Sequence, residues 1–121
     1  MAILQNHYVL AVHDLRGSAQ FLVDALQFEI VNEPPGWIFV ARDNCMIMLG
    51  QCPASIPAAQ LGDHSYFGYL RVDDVDAVHR EMVARGFPPD REPEDKPWEM
   101  REFGVRTPEG HRLQVGQYTG T

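Results

Sequence analysis

Residues 7–15 read HYVLAVHDL and residues 67–75 read FGYLRVDDV, one pattern written twice sixty positions apart. Leu10 corresponds to Leu70, Val12 to Val72 and Asp14 to Asp74. Alternating apolar residues make each stretch a strand, and the aspartate near its end is a good cap for a following helix. A half this short cannot bury one sheet face alone, so the two copies must share a core. Such a pseudo-twofold pair puts its best pocket between the copies.

Working outward, Leu15, Ala19, Leu22 and Leu26 mark one face of a helix over 15–26. A second strand over 28–31 stops at Pro34-Pro35-Gly36, and strands over 37–41 and 45–49 form a hairpin across Arg42-Asp43-Asn44. The second half repeats the plan: a strand over 66–72, then a helix over 75–85 that Gly86 ends. A polar, proline-rich loop over 88–97 with a short strand follows. The last hairpin, 101–106 with 112–117, turns at Thr107-Pro108-Glu109-Gly110. These elements predict one α+β domain over 1–121, with a first unit at 5–50, a linker at 51–64 and a second unit at 65–118.

Composition narrows the function classes. With 45% hydrophobic residues in 121, the chain has enough apolar material for a core. No apolar run has the length of a membrane span, and no charged-then-apolar leader is legible, so no membrane role is expected. A formal charge of −7 argues against a nucleic-acid partner. Cys45 and Cys52 have neither zinc-like nor redox spacing, which fits a reduced, cytoplasmic protein with structural thiols.

Three stretches carry a resemblance: 7–15, Val72-Asp73-Asp74-Val75, and Val105 through Leu113 with its Thr107-Pro108-Glu109-Gly110 turn. Together they resemble the vicinal oxygen chelate superfamily, which includes glyoxalase I, bleomycin-resistance proteins, fosfomycin-resistance enzymes and ring-cleaving dioxygenases. The turn is similar to that family's DPDG hairpin, with Thr107 and Glu109 replacing two aspartates. The resemblance implies two tandem βαβββ modules forming a curved eight-stranded sheet around a cleft, with the helices outside. It also implies a homodimer. Activity does not follow, because members include both enzymes and binding proteins.

Catalytic members hold one divalent metal with a side chain from the first and fourth strands of each module. Carried over by position, those places hold His7, Met48, Phe67 and Gln114. Phenylalanine cannot ligate, a thioether is soft, and glutamine brings no charge, so no metal or other cofactor is expected. One alternative exists. His64-Ser65-Tyr66-Phe67-Gly68 resembles a fosfomycin-resistance segment, and a bulge in strand five would let His64 replace Phe67. The set His7, His64 and Gln114 would then hold one divalent metal for a lyase, transferase or dioxygenase. His13, His79 and His111 read as solvated.

Aromatic residues stand where a cleft would be lined. Phe67 and Tyr69 are expected on one face of strand five, opposite Gly68, Leu70 and Val72. Gly36-Trp37-Ile38 is similar to the Gly-Trp that precedes strand three in bleomycin-resistance proteins. The run Lys96 to Phe103 resembles a PWGxREF-like segment, with Glu99 where glycine is frequent. The sequence therefore points to a metal-independent protein that sequesters a planar small molecule, its acids Glu99 and Glu102 favouring a cation. The expected ligand-binding residues are His7, Trp37, Phe39, Met48, Phe67, Tyr69, Trp98, Arg101, Glu102 and Gln114, with no catalytic residue.

Overall fold

Period-two burial runs through the strands and decides which face meets the helices. In the computed structural model, which describes residues 1–62 and 66–120, the first unit comprises β1 (His7–Val12), α1 (Leu15–Leu26), β2 (Glu29–Asn32), β3 (Trp37–Arg42) and β4 (Cys45–Gln51). A 3₁₀ turn (Ala58–Gln60) lies in the linker. The second unit comprises β5 (Tyr66–Arg71), α2 (Val75–Ala84), β6 (Glu94–Lys96), β7 (Met100–Arg106) and β8 (Arg112–Tyr118). This is the α+β pair of tandem modules expected from the repeat.

The eight strands fall into two four-stranded sheets, ordered β1-β4-β3-β2 and β5-β8-β7-β6. β1 runs parallel to β4 and β5 to β8, while the other pairs are antiparallel. The inner edges β1 and β5 come into contact. Tyr8 lies against Gly68 there, so close that a methyl on Gly68 would sit 2.9 Å from the ring.

One face of both sheets meets the helices in a single core. Leu10, Val12, Ile38, Val40, Ile47 and Leu49 come from the first sheet, and Phe103, Val105, Leu113 and Val115 from the second. Leu22 and Leu26 of α1 and Val75 and Met82 of α2 fill the other side. Each such aliphatic side chain contributes about 1.5–3 kcal/mol on burial. Among the described residues, neither α1 nor α2 packs on the opposite face of either sheet.

Both helices start as expected. Asp14 accepts from the Gly17 N–H and Asp74 from the Ala77 N–H, each at 3.0 Å. α1 has a second cap from the far end of the chain. Glu109, in the β7–β8 turn, accepts from the His13 and Asp14 backbone N–H groups at 2.8 and 2.7 Å and from the Ser18 hydroxyl at 3.1 Å. Burial alone pushes the Glu109 carboxyl pKa up, but these donors and nearby His111 outweigh it and hold it below its ordinary value. Gly110 closes the turn at φ +91°, with a Cβ position only 2.8 Å from the Ala59 backbone, so no other residue fits.

β5 departs from the expected alternation. Tyr66 pairs with Arg112, but Gly68 pairs with the next residue, Leu113, so Phe67 is an extra residue in a bulge. Phe67 therefore does not share a face with Tyr69. It sits at the seam between the sheets, edge-on to Tyr8 and His111 and packed against the core.

The histidines are less solvated than expected. His13 Nε2 lies 2.9 Å from the Ser55 carbonyl, His111 Nε2 lies 3.0 Å from the Ala11 carbonyl, and His79 packs edge-on to Phe103.

Candidate ligand-binding faces

Strand alternation gathers the expected residues into two groups. On the uncovered face of the first sheet, His7 pairs with Met46, while Val9 and Phe39 flank Met48. Trp37 pairs with Gly50 and lies across it: a methyl there would stand 2.9 Å from ring atoms Cη2 and Cζ3. Trp37 meets Phe39 edge-to-face at 6.2 Å and keeps 37% of its surface exposed. Four expected residues, His7, Trp37, Phe39 and Met48, thus share one surface.

The second sheet repeats the device. Gly50 pairs with Ala11, and its counterpart Gly116 pairs with Arg71, sixty residues from Ala11. Tyr69 lies over Gly116, where a methyl would collide with the phenol. The phenol thereby spans β8 and donates to Glu102 Oε2 on β7 at 2.7 Å. Trp98 Nε1 makes a longer contact, 3.5 Å, to the same oxygen while the ring stays 60% exposed. Gln114 lies flat over Gly104, whose Cβ position is 2.9 Å from its Oε1.

Glu102 is the unusual group on this face. It is only 7% exposed, yet both recorded donors are neutral and no cation pairs with it among the described residues. Burial, then the hydrogen bond and charge of Glu102, push the Tyr69 phenol pKa well above its ordinary range, so it stays a donor. Around Glu102 and Gln114 opens a groove of about 540 Å³, which Tyr66, Arg91, Lys96 of β6, Arg106 and Arg112 also line. A separate cavity of about 480 Å³ lies between the modules on the helix side, floored by Leu26, Phe28, Leu70, Val78 and Val115.

Arg101 belongs to neither group. The same alternation turns it toward α2, where it binds Asp76 through Nε at 3.1 Å and Nη2 at 3.0 Å, with Asp95 at 3.3 Å. Gln117, its pairing partner, accepts from the Val75 N–H on that side. Phe67 lies at the seam, and His64 lies outside the described residues. Residues that the sequence reading missed on the uncovered faces are Met46, Tyr66 and the two glycines under aromatic rings. Tyr66 is displaced there by the bulge, which leaves no mark in composition.

The divalent set fits poorly. His7 and Met48 lie on one sheet and Gln114 on the other, with Phe67 at the seam offering no lone pair. Among the described residues no three His, Cys, Asp or Glu side chains cluster so as to hold an ion. Nor is any described helix long and apolar enough to cross a membrane.

The model of the Glyoxalase/Bleomycin resistance protein/Dioxygenase superfamily matches residues 4–115. The chain belongs to this superfamily. A search of curated proteins found no match. Several solved structures share the fold. One is a bleomycin resistance determinant encoded on transposon Tn5, 24% identical over 94% of this chain and 97% of that one, with a TM-score of 0.79. Another is a bleomycin-binding protein from bleomycin-producing Streptomyces verticillus, complexed with copper(II)-bleomycin. It is 25% identical over 100% of this chain and 99% of that one, with a TM-score of 0.74. A superfamily member from Alicyclobacillus acidocaldarius is 14% identical over 96% and 92%, with a TM-score of 0.79.

Proposed function

We propose that the protein is a cytoplasmic, homodimeric small-molecule binding protein that sequesters a planar cationic ligand without a metal cofactor. Glu102 carries this reading. A buried carboxylate held by two neutral aromatic donors is poorly compensated, so a cation arriving at it gains strongly. The aromatic rings laid on Gly50 and Gly116 offer flat apolar surface for stacking, with added attraction for positive charge. Relatives of this fold that bind bleomycin lend support.

Val9, Trp37, Tyr66, Tyr69 and Trp98 leave an apolar surface that a second copy would partly cover, closing a cleft around the ligand. The two free cysteines accord with a reducing compartment.

Calorimetric titration of flat cations, beginning with bleomycin, tests the proposal, with sedimentation to read the dimer. W37A should weaken binding by about thirtyfold, as loss of an aromatic anchor does. E102Q should weaken cations and leave neutral flat compounds unaffected. Affinity unchanged in both folded variants overturns the reading.

A second reading is a metal-dependent enzyme using His7, His64 and Gln114. The bulge between Tyr66 and Gly68 favours it, being the irregularity that such a set needs. Stoichiometric uptake of nickel, manganese, zinc or iron, lost in H7A, would establish it over the first.

A further inference from the structure

Two donors of the poorly fitting divalent set, His7 and Met48, stand beside a third, Met46, and together the three suit a soft ion. We propose that His7, Met46 and Met48 form a Cu(I) site on the uncovered face of the first sheet. Met46 and Met48 are two apart on β4, so both side chains leave the same face, that of Gly50 under the Trp37 ring. Ile47 and Leu49, alternating with them, are buried in the core, which fixes the direction of the thioethers. β1 runs parallel beside β4 with His7 paired to Met46, one strand spacing of about 4.8 Å away.

On its other side Met46 pairs with the small Ala41, and His7 is exposed with no hydrogen bond among the described residues. Two neutral thioethers and a neutral imidazole match the softness and low coordination number of Cu(I). They provide no negative oxygen for a hard or borderline divalent ion. Unbranched methionine side chains can bring their sulfurs together without moving the strands. Binding leaves the charge of the ion uncompensated locally, and the chain's formal −7 lowers the cost of that. No redox step is involved, since the ion is bound in the state supplied. The site shares the face of the Trp37 ring with the organic-ligand reading, so Cu(I) is titrated without organic ligand and the two readings are tested apart.

The test is anaerobic competition for Cu(I) against bicinchoninate, in a C45A/C52A background that removes both thiols. One equivalent should bind. The volume-conserving M46L/M48L pair keeps the fold, and it and H7A should each weaken binding at least as much as the ~10–100-fold that loss of an outer-shell partner costs. With ¹³C-methyl methionine labels, Ag(I) as a redox-inert probe should shift Met46 and Met48 of the five methionines and leave Met82 and Met100 in place. Three results overturn the proposal: Cu(I) affinity unchanged in M46L/M48L, binding lost in the thiol-free background, or Zn(II) or Mn(II) held more tightly than Cu(I).

Discussion

Removing the Glu109 carboxylate should loosen the join between the two modules. Its three hydrogen bonds, at 2.7–3.1 Å, reach residues 91 to 96 positions away in sequence. Bonds to a charged acceptor contribute about 1.5–3 kcal/mol each when isolated, and a lost helix cap costs about 1. The donors here are part-buried to exposed and partly regain water, so E109A should lose about 2–4 kcal/mol in total. E109Q keeps one acceptor oxygen and should lose about half of that.

Urea unfolding measures this as a lower midpoint at unchanged slope. A double-mutant cycle with S18A should give a coupling of about 0.5–1.5 kcal/mol. The pH dependence has a defined sign. The folded-state pKa of Glu109 lies below its unfolded value, so its contribution is complete above the ordinary carboxylate range and is lost as pH falls through the folded value. Wild type and E109Q should therefore converge on acidification. An E109A protein within about 0.5 kcal/mol of wild type at neutral pH refutes the argument, since that is the scatter of ordinary surface substitutions.

Glu99 holds a left-handed φ of +63°, so E99G should be more stable than E99A by about 1 kcal/mol in the same urea assay. The phenol of Tyr69 should resist ionisation above its ordinary range, and E102Q should bring it down, as read by ultraviolet titration against Y69F. G116A should abolish that difference, because its methyl displaces the phenol from Glu102. R101A should cost no more than about 1 kcal/mol by thermal unfolding despite its multiple bonds, because the pair with Asp76 is half-exposed and screened.

The repeat at 7–15 and 67–75 made the fold legible, since alternation, aspartate caps and a glycine stop each have a local physical cause. Residues 7, 37, 39 and 48 were placeable on one surface for the same reason: β1, β3 and β4 keep strict alternation. That rule failed at one point. The bulge at Phe67 is set by how β5 meets β8, a pairing between residues some 45 apart in sequence, and a single added residue exchanges the faces of everything before it. The pairing of Arg101 with Asp76 escaped the sequence reading for a different reason. The strand of Arg101 was legible, but the partner that holds it, Asp76, lies on a helix whose docking depends on the whole core. The glycines under Trp37 and Tyr69 could be found from sequence only once strand register was known. Glu99 was visible as a departure from the glycine that the resemblance implied there, and its left-handed backbone is one that glycine adopts freely.

The amides that lead into the first helix depend on a turn translated much later. Glu109 follows α1 by more than eighty residues, so a nascent chain has made the whole first module before the acid that caps it leaves the ribosome. Until then the His13 and Asp14 amides lack the Glu109 carboxylate. Asp14 can still cap the helix from within, so the early half lacks one fastening rather than its start, and synthesis of the β7–β8 turn adds it.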